Sequence, residues 1–344
     1  MRLTIHSDTT FLICDDLGDV ADETEAGLYH EDTRFLSAYT LLLDNSAPLL
    51  LAARATAPDA SAHFLTNPIL PHTPRGQLSL IRRRQVQTGM REELEVANYG
   101  ETEAVCTLTL RFDADFCHVF EAKHEVQVSK EVMLRNGVYR HAIEDDGQTL
   151  RFDFHNSTRE RALLVRLSQR PQNIGADGVA ECRYPLRLAP QQHWLLAIGF
   201  VTLQGSAPGA QPIVAAVTAP VRQQSAGARA QRRREQMIAA APALDTDSPT
   251  LRRAYAQSVA DFAALQMPAI STDGEQQTGD DTAEEFIIAA GIPWFMTLFG
   301  RDSLITAYQA LPFFPDAARG TLRALARLQG RQVDTLRVEE PGKI

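Results

Sequence analysis

A chain of 344 residues, 44% apolar, 22% charged and 7% aromatic, has the make-up of a folded globular protein, which excludes disordered, collagen-like and mucin-like classes. Its 34 basic residues against 43 acidic ones leave a formal net charge of −9, so a nucleic-acid phosphate backbone is not an expected partner. The length accommodates two domains.

The N-terminal stretch Met1–Asp8 has neither an apolar core nor a small-residue cleavage site, so no export signal is expected. Cys14, Cys106, Cys117 and Cys182 are scattered without a CxxC pair and are expected as reduced core thiols of a cytoplasmic protein. The first 205 residues alternate apolar and polar positions, as in Ala104–Phe112, Glu125–Leu134 and Leu150–Phe154, which predicts strands with one buried and one wet face. Asn98-Tyr-Gly100, Asn136-Gly137, Asp146-Gly147 and Asp177-Gly178 supply the turns between them. Arg161–Leu167 and His193–Val201 are more continuously apolar, as central strands should be. The spacing predicts an antiparallel β-sandwich over residues 1–205.

The composition changes near Gln204, and residues 206–270 read as a linker with helices. Ser248 as N-cap and Pro249 at the first helical position open a helix whose apolar stripe is Leu251, Tyr255, Val259, Phe262 and Leu265. Arg232-Arg-Arg234 is a basic cluster expected on a solvated helix face. Further helices are expected at Asp302–Leu311 and Asp316–Gln329, the latter ended by Gly330. The apolar stretches Trp194–Leu203 and Phe286–Gly300 fall short of the roughly 20 residues of a membrane span, so no membrane partner is expected.

Walker, GxGxxG, GxSxG and HExxH motifs are missing, and the dispersed histidines, His30 and His118 included, offer no ligand spacing; neither metal nor cofactor is expected. Asp113-Ala-Asp115 begins like a calcium loop, but His118 and His124 occupy the positions of the required Gly and Glu. His30, Asp32 and Arg34 alternate, which on one strand would place them on a common face; a structural corner of the sandwich, or a contact with a ligand or with neighbouring loops, would each use them. Asp115 and Glu121 read as loop-ordering residues. In Gly291–Ile305, an aromatic run with Trp294, Phe295 and Phe299 passes through Gly300 to Arg301 and Asp302. Either Asp302 or Ser303 caps a helix there beside a local salt bridge, or the aromatic faces and the Arg–Asp pair form a sugar subsite.

The segment Gly291–Leu311, with Pro293-Trp-Phe295 followed by Phe299-Gly-Arg-Asp-Ser303, resembles the start of the catalytic (α/α)6 barrel of bacterial amylo-α-1,6-glucosidases of the glycogen-debranching type. Glu339–Ile344 is similar to a later loop of that barrel. Gly27–Leu36 and Phe112–Phe116 with Phe120-Glu121 resemble the β domain preceding it. The resemblance implies a multi-domain β-then-α chain: a β-sandwich, a helical linker, and over 271–344 the first helices of an incomplete (α/α)6 glycosidase barrel. It implies a cofactor-independent glycoside hydrolase acting on an α-glucan, with Arg301 and Asp302 holding glucose hydroxyls and Trp294 as a neighbouring wall. The general acid and base, spaced roughly 6.5–9.5 Å apart in an inverting enzyme, are implied to lie beyond Ile344; the late carboxylates Glu339 and Glu340 are weak candidates. This portion would then be inactive alone. A non-catalytic glucan-binding or structural sandwich is the alternative. Exposed apolar faces at Phe313, Phe314, Leu322 and Leu325 are also expected.

Overall fold

The computed structural model describes residues 2–21, 25–123, 138–144, 146–156, 159–175, 179–206, 220–268, 286–335 and 338–343. The chain divides into two compact units, Met1–Gln224 and Ser225–Ile344. In chain order the first strands are β1 (Arg2–Ser7), β2 (Thr10–Asp15), β3 (Gly27–His30), β4 (Thr33–Leu36), β5 (Ala38–Leu43), β6 (Leu49–Ala57), β7 (Ala60–Thr66) and β8 (Leu78–Val86). They continue as β9 (Gly89–Asn98), β10 (Ala104–Asp113), β11 (Val138–Ile143), β12 (Thr149–His155), β13 (Arg159–Leu167), β14 (Asn173–Gly175), β15 (Ala180–Leu188) and β16 (His193–Ser206), with a single helical turn α1 (Val119–Ala122) after β10.

These strands build three antiparallel sheets. The largest has eight strands in the order β11-β12-β13-β16-β9-β8-β7-β6; the others run β14-β15-β10-β5 and β1-β2-β3-β4. Alternation creates the core: on β15 Ala180, Cys182, Tyr184, Leu186 and Leu188 are buried while the residues between them are not. They meet Leu108, Leu110 and Phe112 of β10 and Leu80, Leu94, Val96 and Ile198 of the eight-stranded sheet in one apolar cluster, so the sheets form a sandwich. Each fully buried Leu or Phe contributes about 1.5–3 kcal/mol.

The continuously apolar β13 and β16 lie side by side inside the large sheet, as expected of central strands. The Asp146-Gly147 turn is present: Gly147 has φ +63°, and Asp146 accepts from the backbone N–H groups of Gln148 and Thr149 at 2.7 and 2.8 Å. The strand expected at Glu125–Leu134 and the turns at Asn136-Gly137 and Asp177-Gly178 lie outside the described residues. The four cysteines are free and buried.

The later elements are α2 (Pro220–Ala240), α3 (Pro249–Ala264), β17 (Gln266–Pro268), β18 (Phe286–Ile288), α4 (Gly300–Ala310) and α5 (Pro315–Leu328). Ser248 caps α3 by accepting from Leu251 N–H at 3.4 Å, with Pro249 at the first position. Of its stripe, Val259 is buried and Phe262 and Leu265 are half-buried against Met237, Ile288 and Ala317; Leu251 is exposed at the open end. Phe262 stacks on Phe314 at 5.3 Å.

On α5 the buried face is Ala317, Ala318, Gly320, Thr321, Ala324 and Leu325, spaced three and four apart. Leu325 is therefore buried and Phe314 half-buried, contrary to the expectation that both lie open; Phe313 and Leu322 are exposed. Gly320 permits the approach to β18, since a Cβ there would stand 2.1 Å from the Phe286 carbonyl oxygen. Among the described residues no helix is long and apolar enough to cross a membrane.

Candidate functional site

Between β18 and α4 the chain folds into a tight turn, closed by Gly291 N–H to Phe295 C=O at 3.1 Å and the reciprocal bond at 3.0 Å. Trp294 sits half-buried in this turn, and the exposed Phe295 meets Phe299 edge-to-face at 5.5 Å. The N-cap of α4 is Phe299, in extended backbone and without a side-chain cap. Neither Asp302 nor Ser303 performs the expected capping. Ser303 is buried one turn in, its N–H donating to Phe299 C=O at 2.9 Å and its hydroxyl reaching Ile288 C=O at 3.5 Å.

Arg301 and Asp302 occupy the first turn of α4, both exposed, and among the described residues neither side chain makes a hydrogen bond or ion pair. Adjacent helical positions diverge by about 100°, which explains why the expected local salt bridge does not form. The helix dipole favours the Asp302 carboxylate at that position. The loop thus presents one guanidinium, one carboxylate and aromatic surface, a set able to bind vicinal hydroxyls and a pyranose face.

The N-terminal motifs form a corner of the β unit. His30, Asp32 and Arg34 do not share a strand face: Glu31, with φ +51°, turns the chain between β3 and β4. The His30 ring bonds the Thr10 hydroxyl at 2.7 Å, and Asp32 lies 3.7 Å from His118. Arg34 instead forms a forked, buried ion pair with Asp115, which ties the two resembling segments together. Asp115 also accepts from Cys117 N–H at 3.3 Å, and Glu121 closes a capping box on His118 at 2.7 Å, so both order their loop. Glu339 accepts from Arg331 N–H at 2.9 Å and organises the turn at 330–343.

Inside the sandwich lies a charged cluster that the sequence reading passed over. Arg82, Arg84 and Glu92 are fully buried. The Glu92 carboxylate accepts from Arg82 Nε and Arg84 Nε, each at 2.7 Å, and Arg82 Nη1 donates to Asp19 at 2.5 Å. Both guanidinium carbons stand over the Tyr39 ring, 4.8 and 5.1 Å from its centroid. Burial alone would raise the Glu92 carboxyl, but the two guanidinium groups overcome it and hold it at about 2. Burial, with Arg84 nearby, pushes His63 down to about 4, and burial raises Asp19 against the pull of Arg82. Two cations cancel two carboxylates out of solvent, so the cluster is structural. Its signal was the alternation itself: Arg82 and Arg84 fall on the same face of β8 as Leu78, Leu80 and Val86.

The helical unit also contains a cavity of about 660 Å³, lined from α2, β17, β18 and the start of α5. Trp294, Arg301 and Asp302 are not among its lining residues.

Residues 5–198, more than half of the chain, match the family described as the N-terminal domain of (some) glycogen debranching enzymes. Solved structures give weaker likenesses. A protein from the human microbiome assigned as a kojibiose phosphorylase has a TM-score of 0.39 at 7% identity, over 78% of this chain and 32% of its own. The Slr1438 protein of Synechocystis sp. PCC 6803 gives 0.39 at 13%, over 60% and 96%. The galactose 1-epimerase of Lactobacillus acidophilus NCFM gives 0.34 at 10%, over 59% and 94%. The chain thus spans about a third of the microbiome protein's length. No curated protein sequence matches it. With an antiparallel sandwich over the matched residues, the chain belongs to the family of glycogen debranching enzyme N-terminal domains.

Proposed function

We propose that this chain is the N-terminal portion of an α-glucan glycoside hydrolase of the amylo-α-1,6-glucosidase type, and that Trp294, Arg301 and Asp302 hold one glucose unit. The family match supports action on glucan. The observation that carries the subsite is the exposure of the Arg301 and Asp302 side chains, without partners among the described residues, at the first turn of α4, behind an aromatic turn. The helices α4 and α5 are the opening of an (α/α)6 barrel in this reading, residues 1–205 the β domain, and 206–270 the helical linker. Arg301 donates to one sugar hydroxyl, Asp302 accepts from its neighbour, and Trp294 covers the C–H face. Hydrolysis would proceed by general acid–base catalysis with a positioned water. Glu339 is occupied with backbone N–H groups, and no residue of this chain is assigned as acid or base.

The test is titration of the chain with maltotriose and isomaltotriose, followed by tryptophan emission in a Trp194→Phe background so that Trp294 alone reports. Saturable change is expected, weakened at least tenfold by Arg301→Ala or Asp302→Asn with melting unchanged. Wild-type titrations in both variants would overturn the subsite. Incubation with a branched glucan is expected to release no glucose; turnover would show that the acid and base lie within these 344 residues.

A further inference from the structure

The cavity of the helical unit has walls of three kinds. Phe286, Phe313 and Phe314 make one side apolar, while Arg232 from α2 and Asp316 from the first turn of α5 bring one charge of each sign. The third is a buried amide. Gln266, which lines the cavity, is 4% exposed, and its N–H₂ meets Met237 Sδ, a weak acceptor. Its carbonyl Oε1 has no hydrogen-bond partner among the described residues. A buried acceptor without a donor is unfavourable, and an amide held by a thioether alone can turn to take a ligand hydroxyl. Arg232 is exposed and makes no ion pair or hydrogen bond among the described residues. Asp316 meets Arg319 at 3.1 Å, but both are exposed, so a ligand hydroxyl can displace that contact at little cost. Arg233, which also lines the cavity, has an interaction of its own and is not needed.

We propose that this cavity binds a neutral pyranoside of one or two rings, with its C–H face on Phe313 and its hydroxyls on Gln266 Oε1, Arg232 and Asp316. A guanidinium only donates, and a carboxylate or an amide oxygen only accepts; a hydroxyl answers both, so one kind of group satisfies the whole polar wall. Opposite charges at Arg232 and Asp316 give an anion or a cation little net attraction. An apolar ligand would dry the polar groups without pairing them. Phe314 already stacks on Phe262 and Phe313 leans on Tyr255 at 6.4 Å, so the rings do not form the two-sided slot that a nucleobase takes. The volume of about 660 Å³ is of small-molecule size. This inference does not rest on the Trp294–Asp302 subsite and shares no residue with it.

Isothermal titration of the whole chain tests it, in the wild type and in an Arg301→Ala background that disables the Trp294–Asp302 subsite, with maltose, glucose, glucose 6-phosphate and phenol as probes. In that background maltose is expected to saturate one site, at least tenfold more tightly than phenol, and glucose 6-phosphate should bind no more tightly than glucose. Phe313→Ala, at an exposed ring, should lower the maltose affinity at least tenfold with little change in melting. Arg232→Ser, also exposed, should lower it about fivefold, as should Gln266→Met, which keeps the volume and removes the acceptor. No saturable maltose binding, tighter binding of glucose 6-phosphate or of phenol, or indifference to Phe313→Ala and Arg232→Ser would each overturn the proposal. Maltose binding present in the wild type and lost with Arg301→Ala would overturn it and uphold the subsite. Binding that survives Arg301→Ala and falls with Phe313→Ala upholds it, whatever becomes of the subsite.

Discussion

Arginine is used in opposite ways by the two units. In the β unit Arg34, Arg82 and Arg84 are buried, each ion-paired with a carboxylate. In the helical unit Arg232 and Arg301 stand exposed and unengaged among the described residues. Strand alternation produces the first arrangement, because two arginines in phase with leucines enter the core and must be matched there. Helix surfaces produce the second, because a guanidinium facing water needs no partner and stays available to a ligand. Buried arginines hold the fold; exposed ones can bind.

The sharpest way to break this contrast is Glu92→Gln. It leaves two buried guanidinium groups facing a neutral amide and should destabilise the β unit by about 3–5 kcal/mol, read from the urea midpoint of Trp194 emission. A change below about 1 kcal/mol would show the cluster to be solvated. Next comes acid. Folded, His63 takes its proton only near pH 4, whereas unfolded it does so near 6.5. The unfolded state therefore holds the extra proton between those values, and stability should fall by up to about 3 kcal/mol as pH drops from 6.5 to 4. Glu92, held at about 2 against 4.5 when unfolded, adds a further loss as pH falls through that lower window. His63→Gln should flatten the upper limb alone.

The helical unit is most sensitive at Gly320. Gly→Ala normally strengthens a helix, but here the new methyl meets the Phe286 carbonyl, and the sign should reverse to a loss of about 1–3 kcal/mol. Thermal melting followed by Trp294 emission reads it. The smallest effect sharpens the contrast from the other side: Asp302→Asn should change stability by less than about 0.5 kcal/mol, since its carboxylate is exposed and has no partner among the described residues.

Much of this was legible in the sequence where one local rule decides the outcome. Period-two strands, the central β13 and β16 and the α4 and α5 helices follow from spacing, and the Ser248 cap of α3 from capping chemistry. What escaped depends on tertiary context. An Arg at an apolar-phase position is read as solvent-facing unless its counter-ion is known, and Glu92 and Asp19 come from other segments. The turn at Glu31 lies inside a run that alternates like a strand, and only the positive φ separates His30 from Arg34. The α4 cap fell to Phe299 because Ser303 was drawn inward towards Ile288. The stretches Gly27–Leu36 and Phe112–Phe116 with Phe120-Glu121 are far apart in sequence, and only the folded chain joins them, through the Arg34–Asp115 pair.

The placement of Arg84 and Glu92 also bears on how the β unit assembles. They lie eight residues apart, directly opposite each other across the β8–β9 hairpin. Hairpins close within microseconds, so these charges can meet while water still surrounds them. Asp19 and Tyr39 arrive from distant stretches of chain, and dehydration can wait until an already neutralised pair is covered. Kinetic substitution analysis would then find Glu92 formed early in the folding transition state and Asp19 late; the reverse order would mean that naked ions are buried first.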